Sequence, residues 1–167
     1  YYERAASANV LDRVAVPTLV LHEIYSRLDD PAILSSSALD IVPDSEKTRW
    51  DVPNMILRAG WTAPDFAAFR RSRANQDLFI REFRSAGGVL VAGSDASGPM
   101  IIPGLSQHRE LELLVAAGLS PKDALSAATR SAAALLAADS LGRIAPGKVA
   151  DILVLTSNPL SNISNTQ

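Results

Sequence analysis

Two short apolar runs without a formal charge constrain the fold of this chain most strongly. The first, Val14–His22, reads Val-Ala-Val-Pro-Thr-Leu-Val-Leu-His, and the second, Val89–Gly93, reads Val-Leu-Val-Ala-Gly. Continuous runs of apolar, β-branched residues are typical of strands that are buried on both faces, as in parallel sheets. Pro17 is expected near the start of the first strand or at a bulge, because proline cannot donate a ladder hydrogen bond.

Three helices are predicted between and after these runs. They cover Thr62–Ala86, about Leu105–Ala117, and Ser120 to about Ala138. The first and third begin with a hydroxyl residue that is followed by a proline and an acid, a common N-terminal pattern. Gly118 is placed to end the second helix. Strands that alternate with helices in this order predict an α/β fold with parallel strands.

The segments outside these elements are less regular. Tyr1–Arg13 is polar and rich in alanine, which favours a short surface helix. Asp29–Pro64 is rich in proline, serine and aspartate and is predicted to be a long loop. Long irregular connections are often lids or binding loops. Trp50 or Trp61 could therefore line a substrate pocket, although packing in the core is the alternative for Trp61.

The C-terminal part changes character. Leu141–Ile144 and Ala150–Leu155 are predicted to be two short strands. Pro146 and Gly147 lie between them and form the central pair of a type II turn, in which proline sets the first backbone angle and glycine accepts the left-handed one. A β-element is therefore expected beyond the last helix.

The composition limits the class of protein. The 167 residues carry a net charge of −2 and 47% of them are hydrophobic, which suits one packed domain and excludes a disordered chain. The charge argues against a nucleic-acid binder and a polybasic membrane anchor. No uncharged apolar run approaches the ~18 residues of a membrane-spanning helix. The absence of cysteine excludes disulfides and cysteine-based zinc sites. It is compatible with the periplasm as well as the cytoplasm, of which we expect the cytoplasm.

Asp95 is the first candidate for chemistry. It follows the second apolar run on a turn of small residues. In folds with parallel strands, ligands and catalytic groups gather at the carboxyl ends of the strands. A carboxylate there could bind a metal through one oxygen and exchange a proton through the other. A turn-forming or helix-capping role is the alternative, and position alone favours neither.

The other candidates are three possible substrate-binding residues, His22, Ser97 and His108. His22 ends the first apolar run, Ser97 follows Asp95 on the same loop, and His108 lies in the first turn of the predicted second helix. A hydrogen-bonded structural histidine is the alternative for His22, and an exposed helix start is the alternative for His108. The sequence contains no H-x-H or H-E-x-x-H motif and no second carboxylate that would complete a metal site.

Several segments together resemble the amidohydrolase superfamily, a group of metal-dependent hydrolases. The similar segments correspond to a seventh barrel strand, the last barrel strand, the helices after it and the return to a small β-sandwich: Val16–Leu19, Gly87–Ala96, Leu105–Ala128, and Leu141–Leu155 with Asn158-Pro159-Leu160. The first of these is similar to the imidazolonepropionase-like and prolidase-like branch. The resemblance covers about Val14–Asn162, and its tail is specific in combination with Gly93-Ser94-Asp95, where the family more often has Gly-Thr-Asp.

The resemblance implies a fold and an activity. It implies that residues 1–139 form the C-terminal portion of a (β/α)8 TIM-type barrel and that residues 140–167 form strands of a small β-sandwich. It also implies hydrolysis of amide, cyclic amide or ester bonds in small molecules or dipeptides, with one or two divalent metal ions, expected to be Zn²⁺. Asp95 matches the family aspartate that binds metal and shuttles a proton from the attacking water.

The length implies that the barrel is incomplete. A full barrel takes ~250 residues, and this chain has 167 and begins at Tyr1. We therefore expect a C-terminal part that is inactive alone and is completed by the N-terminal part of the barrel, with a small-molecule substrate, no nucleic acid and no membrane. Whether the protein forms a homo-oligomer is left open by the sequence. The rival hypothesis is a non-catalytic fragment or interaction module that lacks a complete metal site and uses Asp95 only in a turn.

Overall fold

The computed structural model describes residues 13–96 and 98–167, and helices form most of its regular structure. The predicted helix over Tyr1–Arg13, apart from its last residue, and the candidate Ser97 lie outside these ranges. The elements are, in chain order, β1 (Val14–Ala15), α1 (Leu19–Tyr25), α2 (Pro31–Leu34), a first 3₁₀ helix (Ser37–Ile41), α3 (Asp44–Trp50), α4 (Val52–Ala59), α5 (Ala63–Ser85), β2 (Val89–Leu90), α6 (Leu105–Ala116), α7 (Pro121–Ala128), α8 (Arg130–Leu135) and a second 3₁₀ helix (Ile163–Thr166). Among them, no helix is both long and apolar enough to cross a bilayer.

The two apolar runs pair with each other as parallel strands. Val14 lies opposite Val89 in the register of β1 and β2. The amides of Val89 and Val91 donate to the carbonyls of Arg13 and Ala15, at 2.8 and 3.0 Å. The predicted parallel pairing is therefore confirmed, although each strand is shorter than the run that contains it.

The prediction of one strand over Val14–His22 is wrong. The strand ends at Ala15, and the apolar run continues as helix α1 from Leu19. Pro17 has no amide hydrogen for the ladder, and Thr18 has a φ of 49°, a left-handed conformation that turns the chain out of the strand direction. The run is continuously apolar because the start of α1 packs in the same core as the strands.

The prediction of a long loop over Asp29–Pro64 is also wrong, since short helices occupy most of it. These helices are capped by the same residues that suggested a loop. The Asp30 carboxylate accepts a hydrogen bond from the Ala32 amide at 3.0 Å, and the Ser36 hydroxyl accepts one from the Ala38 amide at 3.3 Å. Aspartate, serine and proline favour turns and helix starts alike, so the composition did not distinguish the two.

The three predicted helices are confirmed, with one interruption. At the start of α5, the amide and hydroxyl of Thr62 donate to the Asp65 carboxylate at 2.8 and 2.6 Å. Gly118 follows α6 with a φ of 116°, as expected of a helix-ending glycine. Ser120 caps α7. The third predicted helix breaks at Thr129, where the backbone leaves helical angles and separates α7 from α8.

The main core lies where α1, α5, α6, α7 and β2 meet. Its innermost side chains include Leu19 of α1, Ile80 of α5, Leu114 of α6 and Ala124 of α7. This core places α6, the helix that follows the Asp95 loop, between α1 and α7. One apolar cluster therefore holds α1, which follows β1, together with α5 and α6, which precede and follow β2.

A second cluster is aromatic and lies around Trp61. The Trp61 ring packs edge-on against Phe66 and Phe69, at centroid distances of 6.1 and 5.4 Å, and lies 6.2 Å from the Tyr25 ring. Trp61 therefore packs in the core, as the alternative to a pocket role predicted. The cluster also includes Met100, from the segment after Asp95.

The predicted C-terminal strands do not form among the residues that the structure describes. Leu141–Ile144 and Ala150–Leu155 have no ladder partner there, and Ile144 and Val154 expose 84% and 88% of their surface. Strand geometry needs a neighbouring strand to satisfy its backbone groups. The turn between the two segments is confirmed, since the Lys148 amide donates to the Ala145 carbonyl at 3.1 Å.

Candidate functional site

The site begins at the edge where both strands end. Because β1 and β2 are parallel, the turn after β1 and the loop after β2 lie at the same edge of the sheet. The two segments touch: a Cβ atom on Gly93 would lie 2.7 Å from a methyl carbon of Val16. Glycine at this position permits the close approach. Asp95 is two residues further along the loop and is exposed.

Asp95 itself adopts a backbone conformation that is uncommon for a residue with a side chain. Its φ is 51°, and its carbonyl accepts a hydrogen bond from the Gly98 amide at 2.9 Å. Left-handed residues other than glycine cluster at functional sites and turns, and aspartate tolerates them better than most. In the described ranges, no donor contacts the Asp95 carboxylate. Asp95 is therefore a turn residue whose carboxylate is also available for a ligand.

Tyr25, at the end of α1, is a neighbour of this loop that the sequence analysis missed. A Cβ atom on Gly98 would lie 3.2 Å from the Tyr25 hydroxyl oxygen and 3.4 Å from the Asp95 carbonyl oxygen. Burial, and secondly the negative charge of Asp95, raise the pKa of Tyr25 above its usual value. The phenol is therefore neutral at physiological pH and can donate a hydrogen bond beside Asp95.

Glu110, on α6, is a second residue that the sequence analysis missed. Its side chain is fully buried, and one carboxylate oxygen accepts a hydrogen bond from the Val20 amide at 2.8 Å. Burial is the main cause that raises the pKa of Glu110 to about 7, with a smaller raising effect from the charge of Asp95, against the lowering effect of hydrogen bonds from the Val20 and Leu19 amides and of the charge of Arg73.

The helical period contains a signal that could have identified Glu110. Glu110 precedes Leu113 by three residues and Leu114 by four, and it therefore shares their side of α6. An acid on the apolar face of a helix needs a partner in the core.

A cavity of about 540 Å³ adjoins the Asp95 loop at Ala96. Its charged lining residues, Glu46 and Arg49, bind each other at 2.8 Å. The rest of the wall is largely apolar: Ile41, Val42, Pro43, Trp50, Ile101, Ile102 and Pro103. The segment that was expected to be a binding loop therefore contributes a pocket wall as helices, and Trp50 lies on that wall.

A second cavity, of about 600 Å³, adjoins both residues of β2, Val89 and Leu90. Its lining residues do not include Asp95 or Ala96, so this cavity is separate from the Asp95 site. Arg84 and Asp123 line it and bind each other at 3.3 Å.

The two candidate histidines lie on helices. The strand that was expected to end at His22 stops at Ala15. His22 instead lies on α1, where it is exposed. His108 is on α6, half-buried, and its Nδ1 atom lies 3.0 Å from the Thr166 hydroxyl of the second 3₁₀ helix. In the described part of the chain, no hydrogen bond joins either histidine to Asp95.

The candidate residues do not form a complete metal site in the part of the chain that the structure describes. Within residues 13–96 and 98–167, no three histidine, cysteine, aspartate or glutamate side chains lie close enough together to hold a metal ion. The Asp95 carboxylate suits a divalent cation as a single oxygen ligand. The described residues therefore fit one ligand position and do not fit a complete site.

Comparison with known proteins identifies the family. Residues 51–167, more than half of the chain, match the Amidohydrolase family. The matched region contains β2, the Asp95 loop, α6 and α7. No curated protein and no solved structure matches the chain. The chain therefore belongs to the amidohydrolase family.

Proposed function

We propose that this chain is the C-terminal part of a metal-dependent hydrolase that cleaves amide, cyclic amide or ester bonds of small molecules or dipeptides. The family match over residues 51–167 is the observation that carries the proposal. The position of Asp95 supports it, since an available carboxylate follows a buried parallel strand at the edge where the loops of both strands meet. Resemblance to the imidazolonepropionase-like and prolidase-like branch belongs to the same proposal.

Asp95 is proposed to act as metal ligand and proton shuttle. One or two divalent ions, Zn²⁺ in this proposal, would supply Lewis acidity that lowers the pKa of water. The remaining ligands would come from residues outside the described ranges. Asp95 then accepts a proton from the attacking water at its carboxylate and returns it to the leaving group. The neutral Tyr25 hydroxyl beside the loop can orient a polar atom of the substrate.

The cavity beside Ala96 is proposed to bind an apolar group of the substrate. Its wall combines the Trp50 side chain with Ile101 and Ile102, both of which are buried. Pockets that bind small molecules are usually largely apolar, with a few polar groups that set orientation. A substrate with an aromatic or branched aliphatic group next to its scissile bond suits this site. His22, Ser97 and His108 remain proposed substrate-binding residues.

The barrel and the sandwich remain part of the proposal. Val89 and Val91 direct their amides to β1, and by alternation Leu90 directs its amide to the opposite side of β2. That side is available for a further strand at Leu90, whereas the Ala92 amide donates to the Ala127 carbonyl. The exposed apolar residues near Val154 likewise suit pairing with sandwich strands. The N-terminal part of the barrel is the proposed partner, and the isolated chain is therefore proposed to be inactive.

The test uses the full-length protein that contains this chain. The variant Asp95→Asn keeps the shape of the side chain but removes the base, and general base catalysis is worth ~10²–10⁴-fold. We expect kcat for p-nitrophenyl esters and for dipeptides to fall by at least that much. The control is Asp139→Asn, since Asp139 is exposed and its carboxylate makes no described contact. An Asp95→Asn protein with unchanged kcat would support the rival non-catalytic module.

A further inference from the structure

The proposed reaction leaves the buried acid Glu110 without a role. One of its carboxylate oxygens accepts a hydrogen bond from the Val20 amide, and the other is buried with no hydrogen-bond partner among the described residues. Burial of a carboxylate is unfavourable, and a well-packed apolar residue at such a position often gives equal or higher stability. The acid at this position therefore calls for an explanation beyond packing.

The hydrogen bond to Val20 reaches the Asp95 loop through the turn after β1. Val20 is the second residue of α1, so holding its amide holds the start of that helix. The turn just before it contains Val16, which lies against Gly93, with room for no Cβ atom between them. Gly93 in turn lies two residues before Asp95. The Glu110–Val20 hydrogen bond, the backbone from Val20 back to Val16, and the contact of Val16 with Gly93 thus connect the Glu110 carboxylate to the Asp95 loop.

The helix that carries Glu110 closes this connection. Helix α6 begins ten residues after Asp95, and α6 also packs against α1. The Glu110 bond therefore joins the helix that follows the Asp95 loop to the helix that follows the neighbouring strand.

We propose that Glu110 is a positioning residue that holds the Asp95 loop in place through the start of α1. It touches no substrate in this role. It acts as supporting residues around a metal site do, whose loss commonly costs 10–100-fold in metal affinity or activity. The consequence for catalysis rests on the proposed function of Asp95. The mechanical connection between the two loops does not.

The experiment measures amide hydrogen exchange in the full-length protein without added metal or substrate. In Glu110→Ala, we expect exchange to rise about tenfold in residues 18–22 and also in residues 93–98. In Glu110→Gln, the amide oxygen can still accept from Val20, and exchange in both segments should stay within about threefold of wild type. Exchange that rises in Glu110→Ala only over residues 18–22 would overturn the proposal, because it would show a local helix cap.

Two controls separate positioning from general loss of stability. Glu112 is another acid of α6, and its carboxylate accepts hydrogen bonds from Arg109 and Ser164. Glu112→Gln should leave hydrogen exchange in residues 93–98 unchanged. Ile80→Val weakens the shared core without touching the Glu110 bond and should raise exchange in the two segments no more than elsewhere. If Glu110→Ala does not fold, Glu110→Asp shortens the side chain by one methylene and retains the carboxyl group. Wild-type exchange over residues 93–98 in that variant, together with faster exchange over 18–22, would overturn the proposal.

Activity distinguishes this inference from the proposed function. With p-nitrophenyl acetate as the probe, kcat should fall ~10–100-fold in Glu110→Ala and recover in Glu110→Gln. Suppose that Asp95→Asn abolishes turnover, whereas Glu110→Ala keeps wild-type kcat and wild-type exchange in residues 93–98. Glu110 then has no positioning role, and the hydrolase assignment survives. If Asp95→Asn keeps full activity, the assignment of Asp95 fails and the exchange result alone decides the connection between the loops.

Discussion

The guanidinium of Arg109 binds both carboxylate oxygens of Glu23, with Nε and Nη2 at 2.8 and 2.7 Å from them. Its third nitrogen, Nη1, donates to Glu112 at 2.6 Å. The two hydrogen bonds to Glu23, followed by the one to Glu112, raise the pKa of Arg109 above its usual value. This cluster joins α6 to α1 on the solvent side, whereas Glu110 joins the same two helices in the core.

The Arg109 fork should contribute a small, salt-sensitive part of the stability. In Arg109→Lys, an ammonium replaces the planar fork and cannot make the paired hydrogen bonds to Glu23. We expect the free energy of unfolding to fall by about 0.5–1 kcal/mol, since both side chains are partly exposed. Urea unfolding of the full-length protein at low and high sodium chloride measures the effect. A loss that is equal at both salt concentrations would contradict an ionic origin.

Stability should fall as the pH rises toward neutrality because of Glu110. Its pKa is raised to about 7 in the folded state from an ordinary value of 4.5, so between these values the folded state holds a proton that the unfolded state has released. Arg73 from α5 and Asp95 are the charged groups that act on it. The shift corresponds to at most about 3 kcal/mol, present below pH 4.5 and lost as the pH rises through 7.

The variant Glu110→Gln tests this pH dependence. Glutamine does not titrate, so the difference in unfolding free energy between the variant and wild type should change by about 3 kcal/mol from pH 4.5 to pH 8. Urea unfolding of both proteins across that range provides the measurement. A difference that is independent of pH would show that the Glu110 carboxyl group titrates normally.

Trp50 should affect the specificity of the site more than its chemistry. Trp50→Ala removes a large apolar surface from the wall of the cavity beside Ala96. We expect kcat/KM to fall about tenfold for p-nitrophenyl benzoate and by less than about threefold for p-nitrophenyl acetate, whose acyl group is small. Leu57→Ala is the control, since Leu57 lies on the next helix and is 75% exposed. Equal losses for the two esters would place the acyl group elsewhere.

Asp95 should also affect the metal content of the full-length protein. If its carboxylate is a ligand, the wild type should contain about one or two divalent ions per chain, and Asp95→Asn should lose most of at least one of them, because a neutral amide is a weaker ligand than a carboxylate. Elemental analysis after dialysis measures the ions. Asp139→Asn, on the exposed C-terminal part, should retain the full complement. Identical metal content in all three proteins would remove Asp95 from the ligand set.

Local patterns predicted the helices well and the connections poorly. The capping pair Thr62–Asp65 and the terminating Gly118 are local signals, and the structure confirms both. Asp30 and Ser36 carry similar local signals but were interpreted as loop residues, because short helices and turns begin with the same residue types. The prediction of a strand over Val14–His22 was wrong for another reason. A continuously apolar segment indicates burial, and burial alone does not distinguish a strand from a helix.

The candidate site divides in the same way. Local sequence patterns were enough to predict that Asp95 follows a buried parallel strand and that the chain resembles the family it belongs to, because both depend on residues that are close together in the chain. The proposed roles of Tyr25 and Glu110 depend on contacts between residues far apart in the chain. Glu110 and Val20 are separated by 90 positions. Only the packing of α6 against α1 brings that carboxylate to that amide, and no local pattern encodes the distance between two helices.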